Sequence, residues 1–91
     1  MLTNRQLFDI SYFFNSLNFS SGLLEDFIKF ENKYNYANFN ENDKFTIVIV
    51  IYHYLTILGV MNTKIRAYMI KYFDCSRKLL EDSILKTKIL L

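Results

Sequence analysis

The stretch "DCSRK", residues 74–78, sets a carboxylate, a thiol, a hydroxyl, a guanidinium and an ammonium group side by side. Ser76 can cap a helix and touch a phosphate, while Arg77 and Lys78 can contact phosphate or guanine. Cys75 is the only cysteine of the chain and His53 the only histidine. A metal site needs three or four ligands, and catalysis needs a second polar group placed by the fold. Neither residue has such companions at a recognisable spacing. Nucleophile elbow, phosphate-binding loop and zinc spacing are all missing from the sequence. No enzymatic activity, metal or cofactor is therefore expected. His53 reads as a core or interface histidine and Cys75 as a small buried apolar residue. Its neighbours suggest a second role for Cys75: beside Arg77 and Lys78 at a helix start its pKa would fall, the setting of a redox sensor.

The elements that must position these groups are helices. The 91 residues suffice for one domain, 1–91, and contain no proline and only two glycines, Gly22 and Gly59, which favours helices joined by short turns. Thr3 and Gln6 form a capping-box pattern, followed by an apolar stripe of Leu7, Ile10, Phe14 and Leu17. "NFSSG" is the expected break. Ser21 then caps a second helix with the stripe Leu23, Phe27, Phe30 and Tyr34, or else Gly22 lies inside one long helix. Asn40 with Asp43 can cap a third. "KFTIVIVIYHYLTILG" is apolar on every side, which marks a buried or membrane helix. Its β-branched run Thr46–Ile51 also suits a strand. Its length and Gly59 at the C′ position favour a helix. After a short "VMN" connector, Asn62 or Thr63 starts a helix to about Phe73, and Ser76 caps a last one to about Leu90. The expected fold is all-α, with four or five helices.

Charge is unevenly spread. From Lys64 onward seven basic residues face three acidic ones, whereas the first 63 residues hold four basic and six acidic ones. The net charge of +2 does not itself imply a polyanion partner, but this asymmetry points to an anionic partner for the basic half. An apolar fraction of 52% in so short a chain suggests that some of that surface meets a partner, most simply a second copy. A lone cysteine rules out an internal disulfide and fits a reducing cytoplasm, and "MLTNRQLFDI" lacks the pattern of a secretory signal. Richness in Asn, Ile, Lys, Phe and Tyr reflects AT-rich coding.

Residues 67–84, "AYMIKYFDCSRKLLEDSI", have the form of a helix-turn-helix. Met69, Ile70 and Phe73 would face inward from the first helix, Cys75 would tuck in at the turn, and Leu79, Leu80 and Ile84 would anchor the second. Ser76, Arg77 and Lys78 would then open the groove-facing end. Three features depart from the pattern: Asp74 stands at the turn position often held by glycine, Ile70 where a small residue is usual, and Glu81 and Asp82 place acid on the second helix.

The succession of a first helix, "NKYNYANFNENDKFTIVIVIYHYL" and "GVMNTKIRAYMIKYFDCSRKLLEDSIL" resembles the front half of winged-helix regulators of the MarR type, especially the small SarA-like proteins. The resemblance covers roughly residues 30–90 and rests on pattern alone. It implies a homodimeric transcription regulator bound to double-stranded DNA in the cytoplasm, with Ser76, Arg77, Lys78, Lys86 and Lys88 on the DNA side. Lys64 and Arg66, further cations of the basic half, are expected to bind DNA with them. The chain ends at Leu91, where those proteins continue into a wing and a dimerising helix, so the wing would be absent or truncated. The alternative is a helical protein–protein interaction module of a virus or mobile element, working in the host-cell cytoplasm and acting through an apolar dimer or partner surface. A single membrane span over Phe45–Met61 is the third reading; its length lies at the lower edge for a span, with His53 near its middle. The aromatic runs Tyr12–Phe14 and Phe27–Phe30 lie in the acidic half and read as core or interface packing, since base stacking needs a basic groove.

Overall fold

The structure, a computed structural model, describes residues 2–34 and 45–82. These fall into two compact units, one within Met1–Asn35 and one within Tyr36–Leu91. Among the described residues the fold is all-α: four helices, a further helical segment at 77–82, and no strand.

In the first unit, α1 (Asn4–Ser16) begins as its sequence dictates. The Gln6 amide donates to the Thr3 hydroxyl oxygen at 3.1 Å, and the Thr3 amide donates to Gln6 Oε1 at 2.9 Å. Both bonds occupy amides that would otherwise have no acceptor in the first turn. The helix stops at Asn18, which takes the left-handed conformation at φ 62°. Its amide donates to the Asn15 carbonyl and the Phe19 amide to the Phe14 carbonyl, both at 3.0 Å. That is the bond pair of a Schellman end, with asparagine in the place glycine usually takes. The turn also sets the Phe19 ring edge-on to Phe14, centroids 5.6 Å apart.

The second helix, α2 (Ser21–Asn32), corrects one expectation. Ser21 is its first helical residue, and Ser20 is the flanking residue, without a side-chain capping bond. Gly22 lies within the first turn, so α1 and α2 are separate helices rather than one. The two pack together through aromatic edges: Phe14 stands 5.7 Å from Phe27 at an interplanar angle of 73°, and 6.0 Å from Phe13. Ile10, Phe13, Phe14 and Phe27 are buried. The expected stripes were only partly right. Leu7, Leu17, Leu23, Phe30 and Tyr34 are half-buried, while Phe13, outside the expected stripe, is fully buried. Glu31 is buried as well.

In the second unit, α3 (Thr46–Ile57) holds the apolar run as helix. Val48 to Tyr52, Tyr54 and Leu55 are all buried. Burial on every side outweighs the weak preference of β-branched residues for strands. The residues expected to cap it, Asn40 and Asp43, lie outside the described residues, and Phe45 precedes the helix without a capping side chain. Its other end is a second Schellman turn. The Gly59 amide donates to Thr56 at 3.0 Å and the Val60 amide to Leu55 at 3.2 Å, around Gly59 at φ 76°. The 12 residues of α3 span about 18 Å, well short of a hydrocarbon core of about 30 Å. Among the described residues no helix is long and apolar enough to cross a membrane.

Against α3 packs α4 (Thr63–Phe73). Asn62, in extended conformation, caps it by accepting from the Ile65 amide at 2.9 Å. Met69 from α4, Cys75 from the turn and Leu80 from the segment 77–82 complete the buried set of this unit.

Candidate nucleic-acid interface

The corner between α4 and residue 77 is built by Asp74. It closes α4 at φ 52°, ψ 47°, the left-handed region. Its own amide donates to the Ile70 carbonyl, as does that of Cys75 at 3.1 Å. Aspartate is among the few residues besides glycine that enter this region readily, so the apparent defect at the turn position is no obstacle to the turn. Ser76 then caps the segment 77–82: its Oγ accepts from the Leu79 amide at 3.1 Å. The inward residues divide as the apolar pattern implies. Met69, Cys75 and Leu80 are buried, and Ile70, Phe73 and Leu79 are half-buried. Ile84 lies outside the described residues.

This arrangement leaves Ser76, Arg77 and Lys78 exposed in succession. Lys64 is exposed on α4. Arg66 is half-buried, and two helical residues at this spacing are turned about 200° from each other, so Lys64 and Arg66 do not share a face. The structure thus brings together Ser76, Arg77 and Lys78 but separates Arg66 from Lys64. Lys86 and Lys88 lie outside the described residues.

Two charged residues of this unit were not singled out from sequence as binding residues. Lys71 is exposed seven positions beyond Lys64, two turns along the same face and about 10 Å away; the spacing alone would have found it. Glu81 forms an ion pair with Arg77, whose Nε donates to Glu81 Oε1 at 2.8 Å. An i,i+4 spacing of opposite charges signals such a pair. Both side chains are largely in solvent, so the pair stabilises the fold by no more than about 0.5 kcal/mol.

The thiol and the imidazole take quiet roles. Burial pushes the Cys75 thiol up, the Asp74 charge adds to this, and a backbone hydrogen bond opposes them only in part. The expected lowering by Arg77 and Lys78 is absent, because both side chains point into solvent while the sulfur is turned into the core. The redox-sensor setting is therefore not met. His53 is half-buried, and burial lowers its pKa below the ordinary value. Among the described residues no group of three or more His, Cys, Asp and Glu side chains is placed to hold a metal.

Apolar surface remains outside the two packed sets. Phe8 and Tyr12, one turn apart on α1, are 69% and 61% exposed, and Ile57, Leu58 and Val60 are exposed at the end of α3. No protein-family model, curated protein or solved structure matches this chain.

Proposed function

We propose that the chain is a small DNA-binding regulator that meets duplex DNA through Ser76, Arg77 and Lys78. One observation carries the reading: a tight left-handed corner at Asp74 ends α4, and the capped segment after it begins with a hydroxyl and two exposed cations. Hydroxyl and cationic side chains at such a leading end are the groups that contact phosphate and base edges. Lys64 and Lys71 add two further exposed cations on the neighbouring helix. The proposal includes a homodimer, since two-fold pairing lets two readers occupy successive major grooves. The resemblance to the front half of MarR-type regulators agrees with it.

The test is a fluorescence-anisotropy titration of a labelled mixed-sequence duplex at two salt concentrations. Affinity should fall steeply with salt, because phosphate neutralisation releases counterions. Arg77→Ala with Lys78→Ala should weaken binding about tenfold at the lower salt. An absence of salt-sensitive affinity in the wild type defeats the reading.

A second reading, a helical module that docks on another protein, is favoured by the exposed Phe8 and Tyr12 of α1. It takes precedence if the duplex titration is flat.

A further inference from the structure

The Arg77–Glu81 pair bears on what each cation of this surface would do. Arg77 uses Nε alone to hold Glu81, and its side chain is 67% exposed. A guanidinium is a planar fork with five N–H donors, so its end edge, with one N–H of Nη1 and one of Nη2, stays clear of the Nε side that meets Glu81. The carboxylate also offsets part of the charge of Arg77. The pair gains less from phosphate than a bare cation does, because a phosphate seated on the fork would lie near the Glu81 carboxylate. The guanine edge differs, because O6 and N7 are uncharged acceptors whose spacing fits the fork. Lys78, Lys64 and Lys71 are exposed, and among the described residues none of them is bonded to a carboxylate.

Resting on the DNA-binding reading, we propose a division of labour: Arg77 reads guanine, Glu81 is its positioning residue, and Lys78, Lys64 and Lys71 neutralise phosphate. Glu81 favours one plane of the guanidinium through Nε and reduces the pull of its charge toward the backbone phosphates. The fork is then presented with fewer rotamers to lose on binding. Base preference and salt dependence therefore separate onto different residues.

The experiment uses the full chain and the duplex that it enriches from a randomised library. The same duplex is also made with deazaguanine, in which carbon replaces N7. Affinity is measured across a salt series for the wild type and for Arg77→Ala, Arg77→Lys, Lys78→Ala and Glu81→Gln, after circular dichroism has established that each is folded. The wild type should prefer guanine over deazaguanine about tenfold. Arg77→Ala should abolish that preference and leave the salt slope near the wild-type value. Arg77→Lys keeps a charge but has no fork, and it should lose the preference too. Lys78→Ala should keep the preference and reduce the slope by about one unit. Glu81→Gln should weaken the preference and steepen the slope, because the charge of Arg77 becomes available to phosphate. If Arg77→Ala lowers the slope as much as Lys78→Ala does, or if guanine and deazaguanine bind alike, Arg77 is an ordinary phosphate contact. The proposal then fails while DNA binding stands. Enrichment of duplexes without guanine overturns it equally. Absence of any salt-dependent binding removes the underlying reading instead.

Discussion

The Cys75 amide donates to the Ile70 carbonyl at 3.1 Å, closing the chain over Asp74 in its left-handed conformation. The corner that exposes Arg77 and Lys78 depends on this closure. Asp74→Gly removes the Cβ strain of that conformation and should stabilise the protein by about 0.5–1 kcal/mol. Asp74→Val, β-branched at positive φ, should destabilise it by roughly 1–2 kcal/mol. Urea-unfolding midpoints of the two variants should move in opposite directions. Movement in the same direction contradicts a left-handed corner at Asp74.

Helix starts give a second set of expectations. Thr3, Asn62 and Ser76 each accept a backbone amide with a side-chain oxygen. Alanine at any of these positions should cost about 1 kcal/mol. Gly22 behaves in the opposite way. A Cβ there would meet only Ser20 Oγ at 3.8 Å, an ordinary contact. Gly22→Ala should therefore stabilise by about 0.5–1 kcal/mol through the reduced freedom of the unfolded chain. Thermal melts followed by far-ultraviolet circular dichroism will resolve both signs.

Phe14 meets Phe13, Phe19 and Phe27, with ring centroids 5.6–6.0 Å apart. Phe14→Ala removes a buried ring and leaves a cavity, with an expected cost of about 3–5 kcal/mol. Leu80→Ala should cost about 2–5 kcal/mol in the second unit, where that side chain is fully buried. Phe8→Ala, on an exposed ring, should change stability by less than about 0.5 kcal/mol. Equal losses for Phe8→Ala and Phe14→Ala would refute the burial pattern of α1.

His53 predicts a pH dependence. Burial lowers its folded-state pKa beneath 6.5, so the unfolded chain takes up the proton first as pH falls. Its contribution to stability is complete above the unfolded value and is lost as pH drops through the folded one. The urea midpoint should fall on acidification from about pH 7 to about pH 5, and His53→Gln should make that fall shallower. An identical pH profile for the variant argues against a desolvated imidazole.

The chemistry of the candidate surface was legible where it depended on neighbours in sequence. Ser76 as a cap, Cys75 turned inward and Arg77 and Lys78 turned outward all came from helical spacing on either side of a short turn. Asp74 was harder to read. A glycine would have announced a left-handed corner, whereas aspartate announces only tolerance of one. The pairing of Arg77 with Glu81 is written in their i,i+4 spacing, although Glu81 reads as a departure from the helix-turn-helix pattern until the cation that holds it is seen. Arg66 was grouped with Lys64 by charge alone, and helix geometry separates them.

Local rules also determined where the chain turns. Caps and Schellman ends are made by residues within about five positions of one another, so Thr3, Gly59 and Asn62 disclosed helix ends without reference to the rest of the fold. Which apolar residues become core is a different kind of question. In α1, Phe8, Tyr12, Phe13 and Phe14 are comparably apolar, yet Phe13 and Phe14 are buried and the other two stand in solvent. The run Thr46–Ile51 has the residue types of a strand and is helical. The sequence settled the local hydrogen bonds, which close over a few residues. Tertiary structure decided burial and the fate of ambiguous segments, because removing apolar area from water requires a second surface that no short window of sequence contains.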